Sequence, residues 1–177
     1  VRSAKSEKVQ PRLKSVDTLE SNKLIIKYDT NSGELLYSEL KDYAVDLGSD
    51  EKIIILDYEK KKYSATSNIQ LLNTDIYPVY NKKNSSRINT VVLESTNIAG
   101  VTLTKEITLL DDTHQIAIRN TIKNNSTKSI DVRNYETISR DDNNTASIML
   151  PTYTGSAYYD EENKFSKLSF EDIIDNS

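Results

Sequence analysis

The feature that most constrains this chain is the alternation of apolar and polar residues between Val101 and Leu109. The apolar side chains on one face are Val101, Leu103, Ile107 and Leu109, and the polar ones on the other are Thr102, Thr104, Glu106 and Thr108. In an extended chain successive side chains point to opposite faces, so a period of two places all the apolar groups on one side. The pattern therefore predicts a half-buried β-strand rather than a helix.

The residues that follow predict two more strands joined by polar turns. Asp111–Thr113 and Lys123–Thr127 are rich in residues that favour turns. The inward positions between and after these turns are expected to be Ile116, Ile118, Ile122, Ile130, Val132 and Ile138. We expect 101–138 to form a three-stranded antiparallel meander, since short turns join antiparallel neighbours. The core residues predicted for it are Leu103, Ile107, Ile116, Ile118 and Val132.

Similar signals occur along most of the chain. Further strands are predicted at Leu24–Tyr28, around Leu36–Leu40, and at Lys52–Tyr58, Tyr63–Leu72 and Thr90–Ile98. The polar stretch 81–89 is expected to be a surface loop, and Glu171–Asn176 a short helix. We therefore predict an all-β fold of two packed antiparallel sheets with little helix. Residues 1–14 are expected to be a flexible lead-in, and 15–177 one β-sandwich domain.

Charge and composition exclude several classes of function. The formal net charge is −4, with 27 acidic residues against 23 Lys and Arg, which is unsuited to a nucleic-acid partner. The longest apolar run, Ile53–Leu56, is far shorter than the roughly 20 residues that span a bilayer. With no cysteine, the chain has no disulfide, thiolate metal site or cysteine nucleophile.

The sequence predicts no catalytic residue, no cofactor site and no metal site. Nucleophilic catalysis needs a base beside the nucleophile, and the single histidine, His114, lies in a predicted turn. The acidic runs are Asp111-Asp112, Asp141-Asp142 and Asp160-Glu161-Glu162. All are expected to be solvated turns, because Asp favours turns for backbone reasons and calcium loops need spaced ligands.

The segment Tyr153–Ile174 combines exposed-type aromatic residues with charge. The residues predicted to contact a partner are Tyr153, Tyr158, Tyr159, Lys164, Phe165 and Lys167. Aromatic rings supply contact area at low entropic cost, while charges at the rim set orientation. The alternative is that these rings anchor a strand and a short helix onto the sandwich, and the sequence leaves both open.

Three segments in collinear order resemble a known family. Residues 15–35, with the turn Asn31-Ser32-Gly33, are similar to a strand "V-x-T-x-x" that leads to a turn "x-N-T-x-G-G". Leu103–Leu109 matches "F-T-K-x-F-x-L", and Gly155–Ile173 resembles "G-A-A-Y … Y-x-K-x-x-F-x-x-I". Together they resemble the periplasmic domain of the YidC-type bacterial membrane protein insertases, of the YidC/Oxa/Alb family. Ser32 stands where the family has its first turn glycine.

The resemblance implies an antiparallel β-supersandwich of galactose mutarotase-like architecture at the periplasmic face of the inner membrane. It implies a non-catalytic interaction domain, monomeric in isolation, whose partners are Sec translocon accessory subunits and nascent membrane proteins. The chain ends before the family's Gly-Gly-Trp segment and last strands, so the expectation is the N-terminal part of the complete domain. Two alternatives stay open: a carbohydrate-binding or mutarotase-like sandwich, and an adhesin or pilin-like module.

Overall fold

A computed structural model describes residues 15–72, 76–141, 153, 155–162 and 164–175. The chain divides into two compact units, the first ending at Arg140 and the second beginning at Asp141. Each unit is described by itself. The predicted lead-in, residues 1–14, lies outside the described residues.

The described residues of the first unit form eleven elements. They are β1 Val16–Glu20, β2 Leu24–Asp29, β3 Leu35–Ala44, β4 Lys52–Asp57, α1 Tyr58–Lys61, β5 Ser64–Leu71, β6 Asn81–Lys83, β7 Thr90–Ile98, β8 Val101–Leu109, β9 Ile116–Asn124 and β10 Val132–Ser139. One sheet has the order β1-β2-β3-β5-β10, with β4 also paired to β3, and the other has the order β6-β7-β8-β9. Every pairing is antiparallel. The prediction of an all-β antiparallel fold with little helix is confirmed.

The two sheets share one hydrophobic core. The first sheet contributes Leu24, Ile26, Tyr28, Leu35, Ile69 and Leu71, and the second contributes Val91, Leu93, Ile98, Val101, Leu103, Ile107 and Leu109. Tyr80, just before β6, joins the same cluster. Along β8 burial alternates residue by residue, as the apolar pattern predicts. The first unit is therefore a sandwich whose centre lies between β2 and β5 on one side and β7 and β8 on the other.

The predicted meander over 101–138 is wrong at its third strand. β8 and β9 pair as expected, but β10 pairs with β5 in the other sheet, with Val132 opposite Leu71 and Ser139 opposite Ser64. A loop joins β9 to β10. In this loop the Asn124 side chain accepts a hydrogen bond from the amide of Ser126 and donates one to the carbonyl of Lys128. The meander of the second sheet is β7-β8-β9 instead.

Because β10 lies in the first sheet, part of the predicted core is also wrong. Val132 and Ile138, predicted to point inward, are 40% and 81% exposed. Ile116 and Ile118 are only partly buried against the core. Among the described strands, β9 and β10 each lie at an edge of their sheet, where their side chains have fewer neighbours than those in the middle of the sandwich.

Two short elements differ from the sequence prediction. Asn81–Lys83 is a strand paired with β7, although 81–89 was expected to be entirely loop. The helix α1 follows β4 directly, and its N-terminus is capped by Asp57, whose carboxylate accepts a hydrogen bond from the amide of Lys60. A side-chain oxygen at this position satisfies one of the free amides of the first turn.

The described part of the second unit contains a hairpin and a short helix. β11 Gly155–Asp160 pairs antiparallel with β12 Lys164–Ser169, and α2 spans Phe170–Asp175. The predicted helix at 171–176 agrees with α2 except for Asn176, which lies outside the described residues. Ser169 and Asp172 cap the helix reciprocally: each side chain accepts from the other residue's backbone amide, at 3.1 and 3.2 Å. The Ser169 hydroxyl also donates a 2.6 Å hydrogen bond to the Asp172 carboxylate, and this bond, together with that from the Ser169 amide, lowers the pKa of the Asp172 carboxyl.

Candidate functional site

The β11–β12 hairpin gathers aromatic rings and a lysine on one face. Its register sets Tyr159 opposite Phe165 and Ala157 opposite Lys167, and directly opposed residues share a face. The Lys167 ammonium lies 4.8 Å from the centre of the Tyr153 ring and 5.9 Å from that of Phe165. Tyr159 and Phe165 are 67% and 65% exposed. We call Tyr153, Tyr159, Phe165 and Lys167 the aromatic face.

The other two residues predicted to contact a partner point to the opposite side of the hairpin. Tyr158 pairs with Ser166, and Lys164 pairs with Asp160. Leu168 shares this second face and is 39% exposed, close to the 40% of Tyr158. The structure therefore brings four of the six predicted residues together and separates Tyr158 and Lys164 from them.

Gly155 makes the aromatic face possible. A side chain there would collide with the carbonyl oxygen of Leu168 and would come within 2.5 Å of the Tyr153 hydroxyl oxygen. With no side chain in the way, the Tyr153 hydroxyl donates a hydrogen bond of 2.9 Å to the carbonyl of Ser156. The tyrosine ring is thus fixed against the hairpin backbone while remaining 46% exposed.

His114 lies in the turn between β8 and β9, where the sequence predicted it. Its Nε2 is 4.0 Å from a carboxylate oxygen of Asp42, and the same oxygen accepts a 2.6 Å hydrogen bond from the Lys23 ammonium. That hydrogen bond lowers the pKa of the Asp42 carboxyl. The ring of Tyr43 lies 5.3 Å from the imidazole, centre to centre. The arrangement is a surface ion cluster in which the lysine already engages the carboxylate.

Asp111 and Asp112 lie in the turn between β8 and β9, whereas Asp160 ends strand β11 and Glu161 and Glu162 follow it in a turn. Asp111 accepts from the amide side chain of Asn89 at 2.6 Å, and Asp112 accepts from that of Asn22 at 2.5 Å. Asp142 lies outside the described residues. Within the described residues there is no group of three or more His, Asp or Glu side chains placed to hold a metal ion.

A shallow cleft opens between β5 and β10 of one sheet and β9 of the other. It encloses about 270 Å³. Its lining residues are Ala65, Thr66, Ser67, Ile116, Ile118, Glu136, Thr137 and Ile138. Glu136 is the one titratable side chain in that lining, so the cleft lacks the second group that acid–base chemistry on a sugar would need.

Sequence reasoning missed Lys105, which is buried in the sandwich and has no exposed surface. Its ammonium donates to the carbonyl oxygen of Ser32 at 2.7 Å and to the side-chain oxygen of Asn68 at 2.5 Å. It also lies 5.1 Å from the centre of the Tyr80 ring. Both acceptors are neutral, and burial lowers the pKa of Lys105 to about 8.

Lys105 fastens the turn between β2 and β3 to the second sheet. Gly33, with φ of +71°, ends that turn, and its amide donates to the carbonyl of Asp29 at 2.7 Å. A side chain at Gly33 would lie 2.5 Å from Cδ of Lys105, so glycine leaves room for the lysine stem. The sequence indicated that Lys105 is buried, because position 105 alternates in step with Leu103 and Ile107 and therefore faces the core with them.

Comparison with known proteins gives the family. The family model described as the YidC periplasmic domain matches residues 17–177. The chain is 29% identical to the membrane protein insertase YidC of Aliivibrio salmonicida, over 90% of this chain and 33% of that protein. It is 25% identical to the corresponding insertase of Pseudoalteromonas translucida and 28% to that of Haemophilus ducreyi, over 92% and 88% of this chain.

The chain spans about a third of the length of these curated relatives. Within the described residues, no helix is long and apolar enough to cross a membrane. The match confirms the resemblance and, with it, the predicted location at the periplasmic face of the bacterial inner membrane. Since the match extends from the first strand through the last helix, the chain belongs to the YidC periplasmic domain family.

Proposed function

We propose that this chain is a non-catalytic contact domain of a membrane protein insertase, and that its aromatic face is where partners bind. The proposed partners are nascent membrane proteins and accessory subunits of the Sec translocon. Family membership supports the insertase assignment, and the observation that carries the contact surface is the exposed aromatic face of β11–β12. The proposal includes a single domain over residues 15–177. We propose that this domain is monomeric in isolation.

The composition of the aromatic face suits a protein contact. Tyr153, Tyr159 and Phe165 have few rotatable bonds, so burying them costs little side-chain entropy for the area gained. Lys167 lies over two of these rings, where its stem adds apolar surface and its charge can orient a partner. Tyrosine and phenylalanine are enriched in the cores of protein interfaces, while exposed clusters of them are uncommon on non-interacting surfaces.

The non-catalytic part of the proposal is supported by the surroundings of His114 and by the cleft. His114 lies on an exposed turn, and Asp42, the carboxylate that could orient its imidazole or act as a second acid–base group, is already bound to Lys23. The cleft lies elsewhere and contains Glu136 but no histidine. These features favour a contact domain over the mutarotase-like alternative.

Site-specific photo-crosslinking in the full-length insertase tests the contact surface. We expect crosslinks to Sec accessory subunits or nascent membrane proteins from probes at Tyr159 and Lys167, on the aromatic face. A probe at Lys164, on the opposite face of the same hairpin, is the matched control and should crosslink weakly. Probes at Lys82 and Asn125, on the other compact unit, should not crosslink.

Three results would contradict this proposal. Equal crosslinking from Lys82 or Asn125 would mean that contact is unspecific, and crosslinking from Lys164 alone would assign the opposite face. If no position crosslinks, the aromatic rings of the hairpin have a structural role, in which they anchor a strand and a short helix onto the sandwich.

A further inference from the structure

The tip of the β3–β4 hairpin exposes three apolar side chains in a row. Tyr43 and Val45 are 52% and 57% exposed, and Leu47 is fully exposed at 102%. Tyr43 lies near the end of β3, and Val45 and Leu47 follow it in the bend and turn of the hairpin, so the three side chains are close together along the chain. Single exposed apolar residues are normal, but a contiguous set at the end of a projecting hairpin indicates an interaction site.

The tip is held in one conformation by its own hydrogen bonds. The amide of Val45 donates to the carbonyl of Glu51 at 2.9 Å, and the amide of Ser49 donates to the carbonyl of Asp46 at 3.1 Å. Gly48 has φ of +80°, a backbone conformation that glycine adopts without steric cost. A segment that is already ordered loses little entropy when it binds, so this geometry favours recognition.

The base of the tip is also anchored to both sheets. Asp42 accepts the 2.6 Å hydrogen bond from Lys23 in the β1–β2 turn, and the Tyr43 ring lies against His114 of the β8–β9 turn. Leu47 therefore lies at the end of a hairpin whose base contacts both sheets.

The charge around the tip selects the kind of partner. Residues 42–51 contain four carboxylates, Asp42, Asp46, Asp50 and Glu51, and no Lys or Arg. Lys23 already engages Asp42, so the other three carboxylates set the charge beside Leu47. Such a collar repels the anionic lipids of a bacterial membrane surface and attracts a basic one. We infer that the β3–β4 tip is a docking element for a protein partner that presents an apolar surface bordered by Lys or Arg. This surface is a different one from the aromatic face.

Binding of a model partner to the 177-residue chain tests the inference. The probe is a fluorescent amphipathic helical peptide made of Leu and Lys, and the same peptide with Glu in place of Lys is its control. We expect the Lys peptide to bind, with a dissociation constant that rises with salt concentration, and the Glu peptide to bind much more weakly. Vesicles of phosphatidylethanolamine and phosphatidylglycerol should not bind.

Variants locate the binding on the tip. Leu47→Ser should raise the dissociation constant of the Lys peptide about tenfold or more, because a leucine side chain would be left out of the buried contact. Ile138→Ser removes an apolar side chain that is 81% exposed on β10 and is expected to leave binding unchanged. Because Leu47 is fully exposed, its replacement should not alter the unfolding midpoint, which is measured alongside.

Equal binding of the Lys peptide by the wild-type chain and Leu47→Ser would overturn the inference, as would an equal loss in Ile138→Ser. Absence of binding by the wild-type chain would also overturn it. Binding of the anionic vesicles that is lost in Leu47→Ser would assign the tip to the membrane surface instead of to a protein. None of these outcomes depends on crosslinks from the aromatic face.

Discussion

We expect the stability of the wild-type chain to rise at alkaline pH, and we expect replacement of Lys105 by methionine to abolish this rise. Methionine retains much of the apolar stem but removes the ammonium, which is fully buried between the sheets. Burial lowers the pKa of this ammonium from 10.5 to about 8, because the charged form loses its hydration. A difference in pKa between the folded and unfolded chain makes stability depend on pH.

The direction follows from which state holds the proton. Below about pH 8 the lysine is protonated in both states, so its contribution to the free energy of unfolding is constant. Between about pH 8 and 10.5 the unfolded chain binds the proton and the folded chain releases it, so stability rises with pH. At about 1.4 kcal/mol per pH unit the full gain is about 3 kcal/mol, of which about 2 kcal/mol falls between about pH 8 and pH 10.

Urea unfolding followed by far-ultraviolet circular dichroism, from about pH 7 to pH 10, measures this gain. Burial raises the pKa of Tyr28, Tyr37 and Tyr80, the last two to about 12, so ionisation of these tyrosines in the unfolded chain begins to lower stability as the pH approaches 10, in the wild-type chain and in Lys105→Met alike. The series therefore stops there. Lys123→Met, which removes an exposed lysine from β9, controls for net charge and should follow the wild-type curve. If Lys105→Met shows the same rise as the wild-type chain, the gain does not come from Lys105 and the explanation is wrong.

Two further predictions concern the core and the absence of catalysis. Ile107→Ala should lower the free energy of unfolding by about 2–5 kcal/mol in urea unfolding, because Ile107 is completely buried. Ile118→Ala, on the partly covered β9, should lower it clearly less, and equal losses would mean that the β9 face is as well packed as the centre. Mutarotase and glycosidase assays on common sugars should give background rates, and a measurable rate that disappears in His114→Ala would contradict the proposed non-catalytic role.

The period of two predicted the strands well because it depends on local geometry alone. β7 and β8 have the predicted bounds, since their side chains alternate between a shared core and solvent. The pairing of β10 could not be predicted in the same way. A connection of seven residues, 125–131, permits either a return beside β9 or a crossing to the opposite sheet, and the apolar pattern of β10 is the same in both cases.

The candidate site was predicted as a segment but not as a surface. Composition identified residues 153–174, and only the strand register separates the side of Tyr159 and Lys167 from the side of Tyr158 and Lys164. The hydrophobic tip at Leu47 gave no signal, because an exposed leucine in a turn looks like any other apolar residue in a sequence. Exposure is decided by what packs nearby, which a local pattern does not contain.

Two of the three segments that carry the family resemblance meet in a single contact. The turn that ends at Gly33 and the strand Leu103–Leu109 are about seventy residues apart in sequence, yet the Lys105 ammonium donates to the carbonyl of Ser32 over 73 positions. Lys105 and Gly33 are explained only by each other's surroundings. A lysine at an inward position is costly without acceptors, and a side chain at Gly33 would occupy the space of the Lys105 stem. The absence of a side chain at Gly33 leaves room for the Lys105 stem, and the hydrogen bond from Lys105 to the carbonyl of Ser32 holds the turn in place. A charged residue in the middle of the core face is therefore part of what joins the two sheets.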